Sequence, residues 1–471
     1  MPATTPTPFR AIQFGTGNFL RGFIGPMFQQ WAEQSQRSIE TIVVKPTASN
    51  PASFQAWIQQ DGRYHVLTKG QQEGQLIDEI TLIEHIARMC HPYQDFSSYL
   101  ALAKIDAQCI ISNTTEAGLS FTPTNAFSDT PASSFPGKLT QLLHARWTYT
   151  QGDLNAGYDI LPCELVERNG ERLRSLVLQY CEHWQLPLAF TEWVQQANRF
   201  YNNLVDRIVP GRPELDEALR SRLLFPDQNV VQVEPYLLWA IEATDNLAAR
   251  LPLSELGLNV IFTPDIQRYQ TLKVSILNGA HTAMTMWGLY HGIVTVAAFM
   301  KHPAARNYLD HLLTEDILPS LAYPEAEKVR YQQDVYDRFE NPFIQHRLHD
   351  ISLNSVAKFN SRLLPSMWTY EEQFGTLPKH LVTALTLLIR NYRGDRYPLR
   401  DEATVLEAFA QHWSAWEPNI HLPKWVDDVL RDERLWELDL SARFPNLAEA
   451  CAAVLLQLLT IPTENLHHEN G

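Results

Sequence analysis

The sequence predicts an α/β fold, with a Rossmann-type N-terminal domain over residues 1–265 and a mostly α-helical C-terminal domain over 266–471. Two observations carry this expectation. Short apolar strands alternate with helical segments through the first half, the pattern of a parallel sheet with crossover helices. From about residue 270 strand signals nearly vanish, and ILNGAHTAMTMWGLY, PAARNYLDHLLTEDILPSL, LVTALTLLIRNY, ATVLEAFAQHW and LAEACAAVLLQLL all show helical periodicity.

The first strand, AIQF at 11–14, runs into GTGNFLRGF and then a helical pattern, IGPMFQQWAEQ. TIVVKP at 41–46 is a second strand, and IDEITLIE at 77–84 is strand-like. A helix carrying Phe96, Tyr99, Leu100 and Leu102 follows. QCIISNTTEAG at 108–118 reads as a buried strand ending in a polar loop. YDILPCELV at 158–166 leads through a turn to the helix NGERLRSLVLQYCEHW, and VIFTPD at 260–265 is the last strand.

With 471 residues and 45% hydrophobic composition, the chain can bury a full core in two domains. Its net charge of −15 argues against nucleic acid or an anionic membrane surface as partner. An anionic substrate would then need a local basic pocket. The five cysteines form no CxxC pair, which fits a reducing cytoplasm and shows no zinc signature. The lead-in MPATTPTPFRAIQF has no apolar core of a signal peptide, and no run of about 18 apolar residues predicts a membrane span. A cytoplasmic protein is expected.

Gly15 and Gly17 follow the first strand and open a helix, where a Rossmann domain presents backbone N–H groups to a pyrophosphate. The full GxGxxG pattern is not met, because Leu20 stands at its third position. The second strand ends in Val44, Lys45, Pro46 and Thr47, without the carboxylate that binds an adenosine ribose. Lys45 reads equally as a cation for the 2′-phosphate of NADP and as a solvated strand-end lysine. Ser112, Asn113, Thr114, Thr115 and Glu116 end the 108–118 strand at the sheet edge that usually holds ligand; they are also ordinary turn residues.

The stretch KVSILNGAHTAM, 273–284, sets Lys273, Asn278 and His281 among apolar residues. At about 100° per residue of α-helix, Asn278 lies roughly 140° from Lys273, with His281 between them at about 80°. All three can face one cleft; the alternative is a helix start with solvated polar groups.

Taken together, FGTGNFLRGF, ISNTTEAG, NNLVDRIVPG and KVSILNGAH resemble the long-chain polyol dehydrogenase family that includes mannitol 2-dehydrogenase. ILPCELVERNG, RFENPFIQHRLHDISLNSVAKFNSRLLPS and GTLPKHLVTALTLLIRNYRGDR extend the likeness toward members acting on sugar acids. The match spans most of residues 11–400, and Lys-x4-Asn-x2-His is its most specific element.

The resemblance implies a nicotinamide enzyme that interconverts a hexuronate and an aldonate. A neutral polyol–ketose pair is the alternative. NAD is the expected cofactor, with NADP left open by Lys45. Cofactor contacts are expected from Phe14, Gly15, Thr16, Gly17, Asn18, Phe19, Lys45, Asn113, Thr114, Thr115 and Glu116. By the same resemblance Lys273 is the acid/base, His281 orients substrate and Asn278 steadies the reacting oxygen.

The chemistry agrees. Hydride transfer to a ketone makes an alkoxide that an ammonium can protonate, given burial that lowers its pKa, and an amide can donate to the same oxygen. No metal ligand set is then required. The family's mannitol enzymes carry a second asparagine in a Cys-Asp-Asn stretch, where this chain has Cys163, Glu164 and Leu165. That departure counts against a plain mannitol dehydrogenase. Asp206 matches a family aspartate near substrate and reads equally as an ion-pair partner of Arg207. For the substrate carboxylate, Lys358 and Arg362 lie four apart on an expected helix and share a face, unless both are surface charges.

Overall fold

The computed structural model describes residues 7–35, 37–49, 51–114, 118–417 and 420–460. The chain divides into two compact units, one of 1–69 with 76–269 and one of 70–75 with 270–471. No helix among the described residues is long and apolar enough to cross a membrane.

The first unit is built on a six-stranded sheet in the order β5-β2-β1-β6-β7-β8. These strands are β1 (Phe9–Phe14), β2 (Ile39–Val44), β5 (Ile86–Cys90), β6 (Cys109–Ser112), β7 (Asp159–Pro162) and β8 (Arg199–Phe200). Every pairing between them is parallel. Alternate side chains go to opposite faces. Ile12, Phe14, Ile42, Val44, Ile110 and Ile160 share a core with Leu139, Leu142 and Leu143 of α2 (Phe135–Tyr149) and Leu173, Leu176 and Val177 of α3 (Asn169–His183). Ala11, Cys109, Ile111 and Leu161 face the other way, onto Phe23, Ile24, Met27 and Trp31 of α1 (Asn18–Ser35). Both faces are covered, so the central strands read as unbroken apolar runs. Each large side chain buried this way contributes roughly 1.5–3 kcal/mol.

Register fixes where the strands stop. Phe14 aligns with Val44 on one side and with Ser112 on the other, and Ser112 aligns with Pro162. Gly15, Lys45, Asn113 and Cys163 therefore leave the sheet along one edge.

The expected strand at 77–84 forms as β4 (Gln75–Ile83), but outside the main sheet. It belongs to a separate three-stranded sheet with β3 (Tyr64–Gln72) and β10 (Val231–Val233). The last expected strand is β12 (Val260–Thr263), in a third sheet with β11 (Leu238–Glu242) and β9 (Asn202–Asp206). The outer position of the parallel sheet is filled by IARMC of β5, where the exposed Ala87 and Arg88 interrupt the apolar run. The Phe96–Leu102 helix is shorter than its pattern suggests: five α-helical residues, Phe96–Leu100, pass into a 3₁₀ turn at Ala101–Lys104.

Among the described residues from 270 onward there is no strand, only an isolated bridge between Thr295 and Arg347. The elements that frame this unit are α4 (Gly279–Tyr290), α5 (Pro303–His311), α6 (Glu325–Phe339), α7 (Ser355–Arg362), α8 (Lys379–Asn391) and α9 (Leu447–Thr460). One apolar core runs through them, including Ile276, Met284, Phe339, Phe359, Leu385 and Leu455. The Asn391 amide donates to Met286 O at 2.9 Å, tying α8 to α4. Residues 70–75 cluster here because the Glu73 amide donates to Asp337 Oδ2 at 2.7 Å.

Gly15 has φ +139°, and a Cβ added to it would lie 2.8 Å from Leu20 Cδ1 and 3.0 Å from Asn113 O. Gly15→Ala should therefore lower stability by about 1–3 kcal/mol through backbone strain and crowding. Chemical unfolding measures this, and a wild-type midpoint would show that the turn relaxes without cost.

Candidate active site

The aligned strand ends and the start of α1 enclose a cleft of about 520 Å³ in the first unit, lined by Gly15, Thr16, Gly17, Thr47, Asn113 and Thr114 among others. Gly17 is exposed, and a Cβ there would meet nothing within 4 Å. The first turn of α1 carries no acidic residue. Unpaired N–H groups, the positive end of an 18-residue helix and room beside a glycine suit an anion such as a pyrophosphate. The residues present therefore fit a dinucleotide.

Other expected contacts stand elsewhere. The Phe14 side chain is fully buried against Tyr99 and Phe135, with ring centroids at 6.2 and 5.1 Å, so it supports the turn from beneath rather than lining the cleft. Asn18 accepts from Arg21 Nη2 at 2.6 Å, and Phe19 stacks on Phe23 at 4.9 Å. Lys45 is no solvated lysine. Its ammonium donates to Thr47 Oγ1 at 2.7 Å and to Ser49 Oγ at 3.3 Å, and burial lowers its pKa. Thr115 and Glu116 lie outside the described residues.

The end of β6 is held by a residue that the sequence marked only as a departure. Glu164 is buried after β7, and its carboxylate accepts from the Thr114 amide at 2.8 Å and Ser112 Oγ at 3.1 Å. Asn113 Nδ2 donates to Cys163 O at 2.6 Å. Burial raises the Glu164 pKa while these donors oppose the shift. Glu164 thus braces the cleft wall, and Leu165 beside it is 66% exposed. On the same wall, Ser134 caps α2 by accepting from the Gly137 amide at 3.1 Å. Its signal was legible in SFPG, a cap residue followed by an early helical proline.

In the helical unit, the 273–284 stretch is not one regular α-helix. Lys273–Asn278 is a π-helical turn between Gln267–Leu272 and α4, and the Gly279 amide bonds back to Val274 O, five residues earlier. This changes the angular reading. Bonding of the i→i+5 kind widens the turn, so residues five apart come to lie nearly above one another. Lys273 and Asn278 then share a face instead of standing roughly 140° apart. His281, three residues into ordinary α-helix, is a surface neighbour of Asn278.

His281 is buried, its ring 4.3 Å from Phe339 and 5.0 Å from His346 between centroids, and its Nε2 has no hydrogen-bond partner. Burial holds its pKa well below the usual imidazole range, reinforced by His346, Arg338, Arg362 and Lys358. The ring is therefore neutral at physiological pH. Its unpaired Nε2 can serve one substrate hydroxyl.

Lys358 and Arg362 lie on α7 as the spacing predicted, and neither is a freely solvated surface charge. Lys358 Nζ donates to Ile351 O at 2.7 Å, and Arg362 Nη1 lies 3.4 Å from Thr282 Oγ1. Burial lowers both pKa values, with Arg362 adding to the effect on Lys358. Gly279 lets this helix end come close, since a Cβ there would be 3.2 Å from Leu363 Cδ2 and 3.6 Å from Arg362 O. Two members of the cluster were missed: Arg338 at the end of α6, and His346. Arg338 sits three residues after the buried Val335 and beside the buried Phe339, so a charge on the apolar face of a helix was the available signal.

Asp206 ends β9 in the first unit and is buried. Arg207 bonds backbone carbonyls, Glu234 O at 2.8 Å and Gly22 O at 2.9 Å, with its pKa pushed down to about 10 by burial.

Because the folded-state pKa of His281 is depressed, the unfolded chain binds the extra proton below about pH 6.5. Stability should therefore fall as pH drops from 6.5 toward the folded value. His281→Gln should flatten that dependence by up to about 1.4 kcal/mol per pH unit between pH 5 and 6, read from denaturant unfolding. An unchanged slope would mean that His281 titrates normally in the folded protein.

Residues 9–255 match the family model described as the mannitol dehydrogenase Rossmann domain, and residues 265–459 match the mannitol dehydrogenase C-terminal domain. The altronate oxidoreductase of Yersinia pestis bv. Antiqua (strain Nepal516) is 41% identical over 463 residues, covering 96% of this chain and 95% of that protein. The altronate oxidoreductase of Bacillus subtilis (strain 168) is 38% identical over 454 residues, covering 96% and 93%. Among solved structures, substrate-free D-sorbitol dehydrogenase shares the fold at TM-score 0.77 and 17% identity, covering 97% of this chain and 96% of that one. Pseudomonas fluorescens mannitol 2-dehydrogenase, in a ternary complex with NAD and D-mannitol, does so at 0.63 and 18%, covering 97% and 95%. With both family models matched across nearly its whole length, the chain belongs to the mannitol dehydrogenase family.

Proposed function

We infer that the protein is an NAD-dependent oxidoreductase that reduces D-tagaturonate to D-altronate and catalyses the reverse reaction. The observation that carries this reading is the set of cations, Arg338, Lys358 and Arg362, whose charges bear on the buried neutral His281. A protein of net charge −15 that gathers basic side chains around one buried imidazole is suited to an anionic substrate. A neutral polyol has no use for them. Relatives at 38–41% identity that are altronate oxidoreductases support the same substrate. The sister pair fructuronate and mannonate has the same charge and differs only in stereochemistry.

We assign residues 1–265 to dinucleotide binding and 266–471 to substrate binding and catalysis. Gly15, Thr16, Gly17, Asn113 and Thr114 line the cleft suited to the cofactor. NAD is preferred over NADP because the Lys45 ammonium already donates to the hydroxyls of Thr47 and Ser49. Bound NADH supplies hydride to the carbonyl carbon. The side chains do the rest. Lys273 Nζ gives its proton to the carbonyl oxygen as negative charge develops there, and takes it back in the reverse direction. Asn278 donates an amide N–H to the same oxygen. His281 Nε2 orients a neighbouring hydroxyl. Arg362 and Lys358 hold the terminal carboxylate, Arg362 with the planar fork that matches two oxygens.

Arg362→Ala and Lys358→Ala should raise KM for tagaturonate by roughly ten- to a hundredfold, the equivalent of losing about 1.5–3 kcal/mol of hydrogen bonding to a charged group. Activity on a neutral ketose such as fructose should change little. Unchanged KM in both variants would place the carboxylate elsewhere. Equal losses on both substrates, with a lowered melting temperature, would mean damage to the fold.

A further inference from the structure

A second group of titratable side chains stands apart from the residues assigned to catalysis. His311 ends α5, Glu315 lies in the π-helical turn Leu312–Ile317 that follows, and His380 lies in the first turn of α8. Glu315 meets both rings: His311 Nδ1 is 2.7 Å from Oε1, and His380 Nε2 is 3.0 Å from Oε2. The two imidazoles are nearly parallel, with centroids 5.5 Å apart and an interplanar angle of 11°. One ligand atom from each of the three residues lies within 4.8 Å of the others.

As a purely ionic arrangement this is a poor one. Two stacked imidazolium rings repel each other, and the carboxylate they share has 54% of its side chain exposed. With neutral rings the same geometry offers two nitrogen lone pairs and a carboxylate oxygen around one point. We propose that His311, Glu315 and His380 form a binding site for a divalent transition-metal ion of the Zn²⁺ class, separate from the substrate site.

Around tetrahedral Zn²⁺, bonds of about 2.0–2.1 Å put ligand atoms roughly 3.3 Å apart. The contacts run to the two oxygens of Glu315, 2.7 Å from His311 to Oε1 and 3.0 Å from His380 to Oε2, so His311, with 44% of its side chain exposed, would turn to bring both nitrogens to that spacing around one oxygen. His380 is the fixed ligand, with 14% of its side chain exposed. Its backbone N–H and that of Leu381 both donate to Asp316 Oδ2 at 2.7 Å, and Asp316 is itself buried. The buried carboxylate thus pins the start of α8 and orients the ligand it carries. Three protein ligands leave a fourth position to water. The ion would clamp the end of α5 and its π turn to α8, so loading should raise thermal stability as well as register in a binding isotherm.

The test uses the full chain without an affinity tag, stripped by chelator and titrated with Zn²⁺ in a calorimeter. One equivalent should bind at micromolar concentration and raise the melting temperature. His380→Ala and Glu315→Gln should each weaken binding by about a hundredfold or more while leaving turnover without metal unchanged. His311→Ala serves if His380→Ala lowers the melting temperature of the metal-free protein. His467 and His468 are the rival imidazoles, so a variant with both replaced by alanine should keep the site. Absence of binding in the wild type, equal binding in the ligand variants, or loss on changing only His467 and His468 would overturn the proposal.

Discussion

A neutral imidazole can sit beside Arg338, Lys358 and Arg362 only while it remains unprotonated, and burial keeps His281 so. This constraint shapes the surrounding helices. The ring must lie in the apolar core, against Phe339, while one nitrogen stays available. The cations must come near the ring from neighbouring helices. α7 brings Lys358 and Arg362, the end of α6 brings Arg338, and Gly279 leaves room for the first of these helices. Lys358 and Arg362 each lose some hydration, as their lowered pKa values show. An arriving carboxylate would restore favourable interactions to several of them at once.

The π turn meets the same demand from the backbone. A regular α-helix cannot put residues 273, 278 and 281 in one line, since five residues round it leave a large angular offset. One turn of i→i+5 bonding removes most of that offset, and α-geometry resumes in time for His281. In the first unit, parallel register performs the comparable task. It ends β1, β2, β6 and β7 along one edge, and Glu164 then fastens the wall from beneath.

Much of this was legible in the sequence. The apolar runs of β1, β2, β6 and β7 announced a sheet covered on both faces, and the helical periodicity after residue 270 marked the second architecture. The glycine turn and the Lys-x4-Asn-x2-His spacing marked candidate residues. What stayed hidden depended on tertiary context. A π turn has no distinctive composition, because it is a choice between hydrogen-bond partners one residue apart. β4 has a strand pattern, yet nothing local says which sheet it joins. Arg338 and His346 become neighbours of His281 only when α6 and the loop after it pack against α4. Lys45 reads equally as a phosphate-binding cation and as a solvated strand-end lysine, because its hydroxyl partners, two and four residues ahead, close over it only in the folded chain.

The account turns on Lys273 as the proton donor on the π turn. The most direct measurement is turnover of Lys273→Ala with NADH and tagaturonate, alongside NADH binding to the same variant. The account predicts nearly unchanged cofactor affinity and turnover lower by about a hundredfold or more, the size of a general acid/base contribution. Near-normal turnover in a folded variant that binds NADH would contradict it, and would move the proton to another group.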